Sequence, residues 1–404
     1  MNDIGIRIDI LPNQFLREDG KFDKDEAIKF SGRIAGVCYD KEGYNHLLKE
    51  DEEVTLKRAN MTLNNGHHSV FDHVWISFNI QNIPKILAMV INNEHEYTTS
   101  EKSARYTPVV KTDFSVITDD EERLYNKWME IFKIKIKERY GNVFSDSKIR
   151  KLAQENARYL VTVFMPTQMI YTTSLRQINY IASWMAKYMC QVASKKGDFE
   201  KKLMVSMSEF IAELERLNVL IPGLMQNEKD RNLSLFGKNI KSNDYNYEYF
   251  NQVYVTEYKA SFACLAQAQR HRTLDYQMEM LDEKEYFIPP IIMDDTNLVN
   301  EWLNDMNTVR DVNPQGELVK IRESGKYEDF ILKCKERLCS EAQLEIMMQT
   351  RATLLRYKKA LEDINSPLAN NIALYSHGAR CTFPDFKCSK DCKFSEGKLL
   401  TRKI

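Results

Sequence analysis

One pattern, met twice, constrains this chain more than any other: residues that alternate apolar and polar run straight into an apolar helix-like segment. In the first half the alternation is HVWISFNI and the apolar run is IPKILAMVI; in the second, YVTEYKASFA leads into FACLAQA. Period-two alternation marks a strand with one covered face, and an apolar run after it needs a second layer to bury it. A third alternating stretch, IGIRIDIL, lies near the N-terminus. Elsewhere apolar residues recur at helical spacing, as in RLYNKWMEIFKIKIKERY, FEKKLMVSMSEFIAELERL and EAQLEIMMQTRATLLRYKKALEDI. The chain is therefore expected to be α+β and mostly helical. A Pro-Gly pair followed by a polar run, in LNVLIPGLMQNEKDRN, suggests a boundary near residue 220, which divides the 404 residues almost in half.

Each half continues in the same order. The apolar run gives way to a polar segment, NNEHEYTTSEKSARYTP or QRHRTLDYQMEM. A long helical stretch follows, with an arginine ahead of a proline: Arg158 with Pro166, and Arg310 with Pro314. This order fits a duplication or two unrelated α+β halves.

Charge and cysteine usage narrow the function classes. Lys and Arg number 57 against 58 Asp and Glu, so no global field draws in a polyanion; this argues against nucleic acid, and an anion site must be built from a local cluster. The N-terminal MNDIGIRIDILPNQ lacks the unbroken apolar run of a signal peptide, and no stretch reaches the ~20 apolar residues of a membrane span. A cytoplasmic protein without membrane contact is expected. Eight scattered cysteines then read as reduced thiols or metal ligands rather than a disulfide framework. Cys38, in GVCYD, reads as a small packing residue rather than a nucleophile.

Three segments could carry chemistry. GHHSVFDHVWISF crowds His67, His68 and His73 around Asp72, which fits an active-site wall, a metal site or ordinary core histidines. SEKSARYTP sets Glu101, Ser103 and Arg105 at alternate positions, so an extended loop would project a carboxylate, a hydroxyl and a guanidinium to one side; these groups suit a nucleotide, and equally a solvated loop. LAQAQRHRTLDYQ places Arg270, His271 and Arg272 together at the end of an uncharged run. Two planar guanidinium forks can span a diphosphate, which one arginine cannot; a surface charge cluster is the bland alternative.

Together these segments resemble the flavin-dependent thymidylate synthase family, whose signature joins Arg-His-Arg to Glu-x-Ser-x-Arg-Tyr after a short spacer. The first half is similar to the family in GHHSVFDH, SEKSARY and ENARYLVTVFMPTQMIYTTSLRQI, but has Asn93-Glu94-His95 where the triplet belongs. The second half carries QAQRHR, VRDVNPQG and FILKCKERLCSEAQLEI, but lacks the Glu-x-Ser-x-Arg-Tyr piece. Each half keeps what the other lost, which favours duplication. The resemblance implies two tandem units over 1–220 and 221–376, each a long-helix bundle with an antiparallel sheet, followed by a Cys-rich tail over 377–404. It also implies a homodimer that imitates the family's tetramer.

Carried over position by position, Arg270, His271 and Arg272 resemble the triplet that grips the phosphates of FAD. His67 resembles a flavin-facing histidine with a catalytic role, and Ser69 and Arg176 resemble flavin contacts. Gln267 stands at a pyrimidine-contacting position, and Glu101, Ser103 and Arg105 at nucleotide-binding ones. Arg158, Arg310 and Arg337 resemble arginines that hold substrate phosphate or uracil, with Arg158 and Arg337 also catalytic, since cations near the uracil carbonyls would stabilise developing negative charge. Ser174 and Tyr180 depart from the family's asparagines, and Glu341 from its histidine.

The implied reaction is reductive methylation of dUMP to dTMP with FAD as cofactor and NADPH and methylenetetrahydrofolate as co-substrates; it needs no activated cysteine. Alkylation at C5 of another pyrimidine nucleotide, or a non-catalytic nucleotide- or flavin-binding paralogue, are the alternatives. Outside this core, SHGARCTFPDFKCSKDCKF gathers His377, Cys381, Cys388 and Cys392, which read either as four ligands for zinc or an iron–sulfur cluster or as free thiols in a loosely held tail.

Overall fold

A computed structural model describes residues 5–102, 116–194, 197–224, 231–237, 248–389 and 392–404. The chain opens with β1 (Arg7–Ile10), α1 (Lys24–Gly36), α2 (Tyr44–Leu47), α3 (Glu52–Asn64), β2 (Trp75–Pro84), α4 (Lys85–Ile91) and β3 (Thr98–Glu101). It continues with α5 (Asp119–Tyr140), α6 (Asp146–Ala157), β4 (Pro166–Ser174), α7 (Leu175–Val192) and α8 (Asp198–Arg216). The second half contains β5 (Tyr249–Phe250), β6 (Val253–Ser261), α9 (Phe262–Ala268), β7 (Asp275–Met280), α10 (Thr296–Thr308), β8 (Leu318–Lys326), α11 (Tyr327–Arg337) and α12 (Leu344–Asp363). The α+β expectation holds, and among the described residues no helix is long and apolar enough to cross a membrane.

Two antiparallel four-stranded sheets share one order, β1-β2-β4-β3 and β5-β6-β8-β7. Their registers correspond. Trp75 faces Ser174 in the first as Val253 faces Lys326 in the second, and Thr98 faces Thr172 as Asp275 faces Ser324. In β2 the register shifts between Ile80 and Ile83, where Asn82 takes a φ of 58°; an extra residue accommodated this way is a bulge. Both central strands then pass directly into a seven-residue helix, α4 or α9. Ile86 to Ile91 of α4 are all buried, which explains why this short helix is apolar on every side.

Compactness follows a different partition from consecutive repeats. One unit comprises Met1–Lys102 with Pro166–Ser234, the other Ser103–Met165 with Leu235–Ile404. The pair α5 and α6 thus belongs with the second sheet although it falls between two strands of the first. Its ties are physical: Trp128 and Phe132 of α5 pack on Trp302 of α10, with ring centroids 4.8 and 5.6 Å apart. The helix start is fixed by a reciprocal cap between Thr118 and Glu121, and the other oxygen of buried Glu121 accepts from the Thr162 amide at 2.8 Å.

Within this second unit, two short turns, Arg158–Leu160 ahead of β4 and Arg310–Val312 ahead of β8, lead into segments that pair with each other. Thr162 bridges Pro314 in antiparallel fashion. The Val163 amide donates to the Asn313 carbonyl (2.9 Å), and the Gln315 and Gly316 amides donate to the carbonyls of Val161 and Tyr159 (both 2.8 Å). A Cβ on residue 316 would lie 2.9 Å from the Cβ of Tyr159, so close an approach requires glycine there. The C-terminal residues also pack into this unit: Phe394 meets Tyr140 and Phe144 at 5.4 and 5.1 Å, and Phe383, Leu400 and Ile404 are buried. A loosely held tail is therefore corrected to an anchored one.

Candidate functional site

The first unit holds a cleft of about 480 Å³ lined by Gly66, Asp72, Trp75, His95, Glu96, Ser174, Arg176, Gln177, Tyr180 and Arg231. Two segments singled out in the sequence meet here. At φ 73° Gly66 makes the turn that ends α3, and residues His68–His73 form a 3₁₀ turn whose Asp72 faces the start of α7. Ser174 ends β4 and caps α7: its Oγ accepts from the Gln177 amide at 3.1 Å and donates to Asp72 Oδ1 at 2.7 Å. Arg176, in the first turn of α7, gives Nε to the same Oδ1 at 3.0 Å and Nη2 to Oδ2. The carboxylate thus holds the guanidinium by two of its edges.

His95 lines the cleft, and the buried His68 stands behind the lining residue Tyr180. His68 Nε2 donates to the Leu63 carbonyl at 2.9 Å, so Nδ1 is the acceptor for the Tyr180 hydroxyl at 2.5 Å. His67 and Ser69 are exposed beside it. Both departures from the family pattern thus have local partners: Ser174 holds Asp72, and Tyr180 closes over His68. Burial raises the Tyr180 pKa against the opposing pull of Arg176.

Behind the cleft lies Glu94, with no exposed surface. Its Oε1 accepts from the Ser234 amide and hydroxyl at 2.5 and 2.9 Å, and its Oε2 from Arg231 Nη2 at 3.2 Å. Burial pushes its pKa up, while Ser234 and Arg231 pull it down. A buried, paired carboxylate stands where the second unit has a histidine between two arginines, and this position does not fit a diphosphate.

In the second unit the triplet follows α9 directly. Arg270 and Arg272 are exposed on either side of His271, which retains 4% of its surface. Arg337 Nε donates to His271 Nε2 at 2.7 Å. Arginine N–H groups only donate, so Nε2 is the acceptor and the ring proton sits on Nδ1, 3.5 Å from Glu336 Oε2. Burial first, then the charges of Arg337 and Lys333, hold the His271 pKa well below the ordinary histidine range. The triplet therefore presents two cations on a neutral strut. Arg337 Nη2 also donates to the Gln267 carbonyl at 3.2 Å, which brings three expected residues, Gln267, His271 and Arg337, into one cluster.

Other expected residues stand on other elements. Glu101 is nearly buried and paired with Lys85; Ser103 and Arg105 lie outside the described residues. Arg158 and Arg310 each begin one of the paired turns, half-buried and exposed respectively. Glu341 pairs with Lys148 at 2.8 Å. The expected metal site is corrected: among the described residues no three His, Cys, Asp or Glu side chains gather to hold an ion, and His377, Cys381, Cys388 and Cys392 are all exposed. Apolar side chains such as Phe383, Phe394 and Ile404 fasten this segment.

Sequence reasoning missed Arg231 and Trp184. Arg231 sits in the polar run NEKDRN, which reads as a linker, yet its guanidinium lies 4.2 Å from the Trp184 ring centroid. The available signal was the unexplained acid in Asn93-Glu94-His95, since a buried carboxylate demands a cation.

Part of the chain is similar to known proteins. The model of the family described as thymidylate synthase complementing protein matches residues 22–192, a span that includes the cleft's motif segments and stops before the triplet. The flavin-dependent thymidylate synthase of Pyrococcus furiosus is 25% identical over 146 residues, 34% of this chain and 56% of that protein; the chain thus spans a little over half the length of this relative. Among solved structures, the UMP/dUMP methylase PolB from Streptomyces cacaoi, bound with 5-Br dUMP, aligns at 17% identity over 55% of this chain and 93% of its own, with a TM-score of 0.31. Thymidylate Synthase X from Helicobacter pylori, with FAD and dUMP, aligns at 14% identity over 52% of this chain and 98% of its own, with a TM-score of 0.29. Residues 22–192 are thus similar to the thymidylate synthase complementing protein family, and part of the chain is similar to a flavin-dependent thymidylate synthase.

Proposed function

We propose that this chain is a tandem flavin-dependent thymidylate synthase of the cytoplasm, which methylates dUMP to dTMP using methylenetetrahydrofolate and NADPH. The observation that carries the reading is the clamp at the end of α9: a neutral, buried His271 fixed by Arg337, with Arg270 and Arg272 exposed on its flanks. Two guanidinium forks held apart by a rigid strut suit the paired phosphates of FAD. Bound FAD would supply the reducing equivalents for the transferred carbon. Arg337, next to the Gln267 backbone, and Arg158 would oppose negative charge on the pyrimidine, and Arg310 would hold its phosphate. In the first-unit cleft, Arg176, oriented by Asp72, is the flavin contact, with His67 and Ser69 at the rim. Glu101, Ser103 and Arg105 are assigned to the nucleotide.

The cysteines fit a route without a thiolate. Cys264, on the helix that carries the triplet, and Cys334 are buried, and burial pushes both thiols up in pKa, the opposite of what activates a nucleophile.

A duplication origin is supported by the identical strand orders, the matching registers, and the paired turns at Arg158 and Arg310. Consecutive repeats over 1–220 and 221–376 would each have kept part of the motif set, and a homodimer of such chains would imitate a tetramer.

The test is the double substitution Arg270→Ala/Arg272→Ala, read by visible absorption of the purified protein. Loss of flavin bands with retained folding is expected. Flavin content equal to wild type overturns the assignment of the triplet.

A further inference from the structure

Residues 93–95 follow α4 as Arg270–Arg272 follow α9, yet they carry no arginine. Here the chain turns Asn93 and Glu94 inward and uses them to fasten a segment distant in sequence. Asn93 Nδ2 donates to Ser234 Oγ at 2.8 Å, and Glu94 receives Ser234 and Arg231 on its two oxygens. The Arg231 guanidinium is fixed a second time by the Trp184 face at 4.2 Å. Glu94 has no surface, whereas the Arg231 side chain keeps 47% of its own and lines the cleft. One of its five N–H groups is spent on Glu94.

We propose that Arg231 is an anion-binding residue of the first-unit cleft, which restores from another point in the sequence the cation that Asn93-Glu94-His95 lacks. With Arg176 it would take the phosphate oxygens of a phosphate-bearing ligand. Of the cleft's carboxylates, Asp72 is spent on Arg176 and Ser174. Glu96 is exposed and would accept from a hydroxyl or N–H, so the cleft suits a phosphate joined to a donor-bearing group, as in a nucleotide. Flavin and substrate both offer that chemistry, and this class of ligand rests on the synthase reading above; the role of Arg231 rests on the geometry.

The test is calorimetric titration of the full chain with inorganic pyrophosphate. Replacing Arg231 alone would strand a buried carboxylate, which destabilises strongly, so the main variant is Glu94→Gln/Arg231→Gln, near-isosteric and neutral. A charge-assisted contact to phosphate predicts roughly tenfold weaker binding or more, with the thermal midpoint close to wild type. Arg270→Gln/Arg272→Gln should retain an Arg231-dependent event. Should the double variant fail to fold, Arg231→Lys serves instead, which keeps the charge, loses the planar fork and should weaken binding several-fold. Wild-type pyrophosphate affinity in whichever of these variants folds, or no pyrophosphate binding by the wild type, overturns the proposal. FAD and dUMP titrated in parallel separate the two sources of phosphate. An Arg231-dependent pyrophosphate site in a chain that never takes up FAD would keep this inference and sink the synthase reading; FAD uptake with Arg231-independent pyrophosphate binding would do the reverse.

Discussion

Arg337 donates from Nε to His271 Nε2 at 2.7 Å and from Nη2 to the Gln267 carbonyl at 3.2 Å, so one guanidinium ties the end of α11 to the end of α9 and sets the tautomer of the histidine between two arginines. This contact makes the triplet a built feature rather than a surface charge cluster, and it has a consequence for pH.

His271 has a folded pKa well below the ordinary 6.5. On acidification the unfolded chain takes up this proton before the folded one. The stability His271 contributes is therefore fully present above the unfolded value and lost as pH falls from about 6.5 toward the folded pKa. Thermal midpoints measured from about pH 8 to 5 should fall less steeply in His271→Gln, which can still accept from Arg337. Identical slopes in the two proteins would contradict a buried neutral histidine.

Beneath the triplet, Lys333 and Glu323 form an ion pair at 2.5 Å with 1% and 0% of their side-chain surfaces exposed. Tyr254 and Tyr258 each donate to Glu323 at 2.6 Å. Lys333→Met leaves the carboxylate without its cation and is expected to cost about 3–5 kcal/mol. The double substitution Glu323→Gln/Lys333→Met should cost less than the single one. Chemical denaturation checks this, and additive losses would contradict the coupling.

Gly316 admits the close approach of the two paired segments. Gly316→Ala would push a methyl against Tyr159 Cβ at 2.9 Å and Met306 Cε at 3.0 Å, and should destabilise by about 1–3 kcal/mol. A neutral effect on the denaturation midpoint would mean that the Thr162–Pro314 pairing yields easily.

Asp72 holds the Arg176 guanidinium by two of its edges, and with Arg176 as the proposed flavin contact it becomes a positioning residue. Asp72→Asn keeps the shape but loses the charge-assisted fork, and about a tenfold loss of FAD affinity is expected, with Arg176→Gln giving no further loss when combined. Fully additive effects of the two substitutions would separate their roles.

Much of the scaffold is legible in the sequence. The helical spacing of RLYNKWMEIFKIKIKERY, FEKKLMVSMSEFIAELERL and EAQLEIMMQTRATLLRYKKALEDI becomes α5, α8 and α12, and the alternating stretches become β1, β2 and β6. β8 escapes notice because it carries Glu323 inward, fully buried against Lys333, which breaks the period-two pattern. The grouping of α5 and α6 with the second sheet is set by contacts such as Trp128 with Trp302, which local patterns do not encode. At the site, the triplet and the Asp72 turn are readable as motifs, whereas Arg231 is not, since its position depends on a buried acid and an aromatic face that come together only in the fold. The terminal Cys and His offered ligand chemistry without the geometry, and Phe394 and Ile404 do the anchoring instead.

The most direct measurement of the central claim is the visible spectrum of the freshly purified protein, followed by NADPH oxidation with and without dUMP. A flavin-dependent synthase is expected to carry bound flavin whose bands bleach faster when dUMP is present. A colourless protein that cannot be reconstituted with FAD, or one whose bleaching ignores dUMP, would contradict it.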